Sequence, residues 1–134
     1  LTADVAERVY RGGELTLARQ FDEAARLYLE AVQLAPDAAE VWSHLGVMYA
    51  VMRQDALAET CYRRAIELDA GYAKASFNLA CLLLRQGRFE EGWRRLESRT
   101  WYDRLAAQLP MARWHGEPLD GKSLLIGLER GTAT

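Results

Sequence analysis

Residues Gly116-Glu117-Pro118-Leu119-Asp120-Gly121-Lys122-Ser123 meet the spacing of a phosphate-binding loop, in which backbone N–H groups, a lysine and a hydroxyl converge on nucleotide phosphate. Such a loop works only between a buried strand and a helix whose N-terminus faces the anion. Neither flank qualifies. Met111-Ala112-Arg113-Trp114-His115 precedes it and is not a buried strand, while Ser123-Leu124-Leu125-Ile126-Gly127 follows as a short strand-like run. Pro118 also removes one N–H from the would-be cradle. The stretch reads instead as a turn at Gly121 leading into a strand.

The remaining reactive residue types are scattered. His44 and His115 are isolated from other metal-ligating side chains, and Cys61 and Cys81 lack the close pairing of a zinc or redox motif. Both cysteines are expected to be buried free thiols, which points to a reducing, cytoplasmic compartment. There is no His-Glu-x-x-His and no Gly-x-Ser-x-Gly. The paired carboxylates Asp22-Glu23 and Glu90-Glu91 fall at expected helix starts, where the helix dipole accounts for them. No catalytic residue, metal or cofactor is therefore expected in this chain.

Bulk properties set further bounds. The 134 residues are 50% hydrophobic with a net charge of −2, enough apolar content for one modest core or a short solenoid. That charge gives no nucleic-acid footprint, and the arginine-rich stretch 85–113 reads as solvated helix ends. No apolar run approaches the length of a membrane span, so no membrane partner is expected. The N-terminus Leu1-Thr2-Ala3-Asp4 has no signal-peptide character and no initiator Met, so the chain reads as part of something longer.

What organises the chain is a repeat. Phe21-Asp22-Glu23-Ala24, Leu57-Ala58-Glu59 and Phe89-Glu90-Glu91-Gly92 recur at intervals of about 34 residues, the size of a helix-turn-helix unit that cannot bury its apolar face alone. Around them, apolar residues step by three and four, one stripe per helix. The spacing predicts six helices, at roughly 3–18, 21–35, 38–52, 55–68, 72–86 and 88–101.

These repeats resemble the tetratricopeptide repeat (TPR). The middle copy, starting at Ala39, supplies Trp42, Leu45, Gly46, Tyr49, Ala58, Tyr62 and Ala65, with Ala70 where the pattern usually has Pro. The first copy, from Val5, supplies Gly12, Leu15, Ala24, Tyr28, Ala31 and Pro36, but puts Arg8 and Arg11 where the middle copy has Trp42 and Leu45. Polar residues there suit a terminal repeat that has no neighbour to cover it. The third, from Ala73, supplies Leu79, Ala80, Leu83, Phe89, Gly92 and Leu96. The resemblance implies an all-α fold, a right-handed TPR solenoid of three helix-turn-helix repeats at about 5–38, 39–72 and 73–101. Residues 102–134 would then be an irregular tail, a linker and the truncated start of a following domain.

In this family the first helix of each repeat lines a concave groove that holds extended peptides. The resemblance carries that role to Ala6, Val9, Gly13, Thr16 and Leu17, then to Glu40, Ser43, Val47, Ala50 and Val51, and then to Lys74, Phe77, Cys81, Leu84 and Arg85. His44 and Asn78 stand where some relatives place asparagines that bond a peptide backbone. Chaperone-binding members grip a C-terminal carboxylate, yet Val9 and Gly13 occupy the places where that clamp needs Lys and Asn. An apolar groove asks for a cover: a hydrophobic peptide, a second copy of the chain, or its own tail. Leu109, Pro110, Met111, Trp114 and Pro118 give the segment 105–119 the content to fold back on the last repeat.

The tail carries a second resemblance. Glu91-Gly92-Trp93, Glu97, Arg99, Trp114-His115-Gly116-Glu117-Pro118-Leu119, Gly121-Lys122, Leu124-Leu125-Ile126 and Glu129-Arg130-Gly131 follow the order found in bacterial proteins whose TPR repeats precede a glycosyltransferase-like domain. Where that family continues with Gly-Asp, this chain has Thr132-Ala133-Thr134. The expected role is a protein-protein interaction module that binds a peptide or protein through the concave face. The alternatives are a substrate-recruiting region of a glycosyltransferase-like enzyme, or a self-associating scaffold.

Overall fold

A computed structural model describes residues 1–97 together with Pro118, Asp120 and Gly121. Six helices occupy the first hundred positions: α1 Ala3–Leu17, α2 Phe21–Leu34, α3 Ala39–Val51, α4 Asp55–Leu68, α5 Ala73–Arg85 and α6 Phe89–Glu97. They fall where the spacing predicts them, and no strand occurs among the described residues. Pro118 lies outside any helix, and Asp120 and Gly121 form a turn with left-handed φ values of 45° and 80°. The strand expected after that turn, the domain boundary near 101 and the fold-back of the segment 105–119 lie outside the described residues.

The repeat is visible in backbone geometry as well as in sequence. Arg19, Arg53 and Gly87, each one repeat after the last, all adopt left-handed φ, at 59°, 60° and 78°. Beyond each, an N–H reaches back to the end of the preceding helix: Gln20 to Leu15 O at 2.8 Å, Gln54 to Tyr49 O at 2.9 Å and Arg88 to Leu83 O at 2.9 Å. This is the Schellman closure, which satisfies end carbonyls and reverses the chain within three residues. Only the third copy uses the residue type that takes this conformation without strain.

Within each repeat the two helices approach closely because one residue at the crossing has no side chain. A Cβ added at Gly46 would lie 2.6 Å from Tyr62 Cε1, and one at Gly12 would lie 2.8 Å from Tyr28 Cζ. In the third repeat the exchange is reversed. Ala80 replaces the glycine, and Gly92 on α6 makes room instead, with Leu84 Cδ2 2.7 Å from its added Cβ. The close approach of the two helices is thus made at a different residue in the third repeat.

The core runs along the stack. Val5, Val9, Ala24, Tyr28, Ala31, Val41, Leu45, Met48 and Cys61 form one buried cluster that joins α1 through α4. Ala58, Tyr62, Leu79, Leu82 and Leu83 continue it into α5. Trp42 closes the joint between the first two repeats, its indole N–H donating to Pro36 O at 2.8 Å. Where the second joint has Ala70 instead of Pro, the Asp69 carboxylate accepts the Gly71 N–H at 2.9 Å and holds the turn. Arg8, on the uncovered side of α1, is ion-paired with Asp4 on its own helix and with Glu30 of α2 at 3.1 Å.

Candidate functional site

The first helices of the repeats pack side by side, α1 on α3 and α3 on α5, so they form one continuous inner face. Sequence position alone does not decide which of their side chains reach its surface. Val9 is 6% exposed and Ser43 3% exposed, so neither lines the groove as the resemblance implies. Val9 belongs to the stripe Val5, Val9, Gly12 and Thr16, which α1 buries, and it shares a cluster with Val41, Leu45 and Met48 of the next repeat. Ser43 is its counterpart on α3, which packs on α5. Thr16 is also buried, its hydroxyl donating to Gly12 O at 2.8 Å.

The face that remains has an apolar part and a polar part. Val47, Val51 and Phe77 are 36%, 39% and 39% exposed, and the first two lie one turn apart on α3. Glu40, Lys74, Cys81 and Arg85 are exposed, while His44 and Asn78 are half-buried. Sequence reasoning missed Tyr10, which stands one repeat before His44 and is 70% exposed. The 34-residue spacing that singled out His44 and Asn78 also reaches Tyr10, and that was the available signal.

Electrostatics group the polar residues. His44 Nε2 is 3.9 Å from Glu40 Oε1, and its ring stacks on Tyr28 with centroids 6.5 Å apart. Burial pushes its pKa down, Glu40 pulls it up and the Lys74 charge lowers it further, for a net fall below 6.5. His44 is consequently neutral at pH 7 and can donate or accept one hydrogen bond beside Lys74. Arg85 is ion-paired with Asp55 at the start of α4.

The cysteines differ from expectation in one respect. Neither cysteine is in a disulfide, and Cys61 is buried, but Cys81 is exposed on α5, because its position in the repeat faces the inner surface. Burial raises the Cys61 thiol to about 11, so it stays protonated and unreactive at neutral pH. No group of three His, Cys, Asp or Glu that could hold a metal occurs among the described residues. Likewise no helix among them is long and apolar enough to cross a membrane. What the face offers chemically is shape, apolar contact and a few hydrogen-bonding groups.

Comparison with known proteins agrees with this architecture. Two family models, each described as tetratricopeptide repeat, match residues 17–56 and 61–94. The protein FlbA of Caulobacter vibrioides is 32% identical over 112 residues, covering 76% of this chain but 18% of FlbA. The chain thus spans less than a fifth of that relative's length. Among solved structures, the TPR2B domain of yeast Sti1 in complex with pHsp70 superimposes with a TM-score of 0.69 at 19% identity, covering 80% of this chain and 86% of that one. The second TPR of Spaghetti (RPAP3), bound to the HSP90 peptide SRMEEVD, gives 0.65 at 19% identity, covering 71% and 88%. MamA from Desulfovibrio magneticus RS-1 gives 0.64 at 21% identity, covering 72% and 55%. Together with the six paired helices and their crossing residues, these matches show that the array belongs to the tetratricopeptide-repeat family.

Proposed function

We propose that this array is a binding module that takes an extended peptide, or an extended stretch of another protein, across the inner face of α1, α3 and α5. The observation that carries the reading is the row of exposed Val47, Val51 and Phe77 on adjacent helices, flanked by His44, Asn78, Glu40 and Lys74. Apolar residues placed along a face in this way suit alternate side chains of an extended chain, and the polar flank can meet its backbone amides. Solved relatives of the same fold hold chaperone peptides, which supports a peptide as the ligand class. The ligand preferred here is apolar rather than an anionic C-terminus, because the clamp positions carry Val9, which is buried, and Gly13. A cytoplasmic location belongs to the same proposal, supported by two cysteines that stand outside any disulfide.

Peptides selected from a display library against the full chain provide the test. The double substitution Val47→Glu and Phe77→Glu is expected to lower affinity at least about tenfold, the effect of removing roughly 1.4 kcal/mol of contact. It is expected to leave the helical circular dichroism unchanged. Retained binding at full helicity would place the ligand elsewhere.

A second reading concerns the parent protein. The ordered motifs between residues 85 and 131 favour an array that recruits substrate to a glycosyltransferase-like domain. Fusing the array to such a domain would have to change which acceptor protein is modified, and an unchanged acceptor profile would rule the recruiting role out.

A further inference from the structure

Charges are sparse on the inner face. Along α3 and α5 the charged side chains are Glu40, Lys74 and Arg85, and Arg85 is ion-paired with Asp55. Lys74 is exposed and makes no ion pair among the described residues. Among the same residues, Glu40 has only His44 within ion-pair distance, at 3.9 Å. That imidazole is neutral at pH 7, since burial lowers its pKa, and it leaves the Glu40 carboxylate uncompensated. Helix stability does not account for Lys74. The other five helices carry an acid in the first turn, where the helix dipole favours one, whereas α5 has no acid there and carries Lys74. A cation in that place weakens its own helix slightly, and no anion of the described residues offsets the cost. Glu40 and Lys74 hold the same place in consecutive repeats, on helices that pack against each other, and their charges act on His44 with opposite sign.

We propose that the inner face selects an extended peptide by the order of its charges, taking a basic side chain at Glu40 and an acidic side chain at Lys74. This rests on the peptide-binding role proposed above and adds a charge pattern to the ligand. Packed helices lie about 8–10 Å apart and an extended chain rises about 3.3 Å per residue, so the two ligand charges stand about three residues apart. Apolar side chains beside them reach Val47, Val51 and Phe77. A ligand with the two charges exchanged sets like charge against like at both places, so the wrong order is repelled rather than merely less attracted. The acid that meets Lys74 is an internal side chain and not a chain terminus. A ligand that is anionic throughout is disfavoured by Glu40.

The test selects peptides from a display library against the full chain and resynthesises the tightest with its basic and acidic residues exchanged. The selected peptides are expected to share a basic and an acidic residue about three apart, in one order. The exchanged peptide should bind about tenfold more weakly, and the gap should shrink in 1 M NaCl. In the double substitution Glu40→Lys and Lys74→Glu the preference should reverse. Lys74→Gln carries the test where that variant does not fold: it should narrow the gap between the two peptides while raising the urea midpoint, because it removes a cation from the start of α5. A purely structural lysine would move the midpoint and leave the gap unaltered. Selected peptides without a charge pattern, equal binding of the two peptides, or a preference unchanged by the double substitution would each overturn the proposal. Failure of the underlying peptide-binding role reads differently, since binding would then be indifferent to Val47→Glu with Phe77→Glu, whereas loss of charge selection alone leaves that sensitivity in place.

Discussion

Two glycines of similar sequence context are expected to respond to the same substitution with opposite signs. Gly13 sits mid-helix on α1 with only the Tyr28 hydroxyl near, 3.7 Å from an added Cβ, an ordinary contact. Gly13→Ala should therefore stabilise the chain by about 0.5–1 kcal/mol through helix propensity alone. Gly46→Ala gains the same propensity, but its Cβ would meet a buried aromatic ring at 2.6 Å. Overpacking of that kind costs about 1–3 kcal/mol, so the net effect should be destabilising. Urea denaturation of both variants checks the pair of signs, and a stabilised Gly46→Ala would mean that Tyr62 yields freely. The importance of Gly46 was legible in the sequence from its place in the repeat. The burial of Val9 and Ser43 was not, because the repeat frame says which way a residue points within its own unit and not what the neighbouring unit lays over it. The i, i+4 pair Val5 and Val9, leading into Gly12 and Thr16, did carry the hint that this stripe faces inward.

Between elements, an ion-pair network ties α4 to α6 and to Arg88 just before it. Arg63 bonds Glu59 at 2.8 Å and Glu91 at 3.0 Å, Arg95 bonds Glu91 at 3.2 Å, and Arg88 bonds Glu59 at 2.7 Å. The Arg63 and Arg95 bonds hold the Glu91 carboxyl near 2, down from its ordinary 4.5, against a smaller opposing effect of desolvation. Desolvation is the largest single influence on Glu59 and raises it, yet the bonds from Arg88 and Arg63 together outweigh it and lower its pKa. For both groups the folded value lies below the unfolded one. The Glu91 contribution is then complete above about pH 4.5 and is lost as the pH falls toward about 2, and that of Glu59 is likewise lost as the pH falls below its unfolded value. Urea midpoints measured from pH 7 to pH 2 should fall in that window, and Glu91→Gln should flatten the fall. An acid limb of unchanged steepness in the variant would show that the network contributes nothing. The helix ends were readable because caps and periodicity are local. This network was not, since its residues are 28 and 29 positions apart and the pairing depends on how α6 lies against α4.

At the scale of the whole molecule, three similar units share one core, and the inner face is the product of their stacking rather than of any single helix. The sequence revealed the stack because anchors recur in register across it, from Gly12 and Tyr28 to Gly46 and Tyr62. It revealed the inner face only in part, since Val47, Val51 and Phe77 reach the surface there and Val9 and Ser43 do not. The most direct test of the binding role is an amide chemical-shift map of the full chain titrated with a selected apolar peptide. The expected result is a contiguous set of changes on α3 and α5, centred on Val47, Val51, Phe77 and Asn78, with α2 and α4 largely silent. Changes concentrated on the outward surfaces of α2 and α4, with α3 and α5 unmoved, would contradict the account.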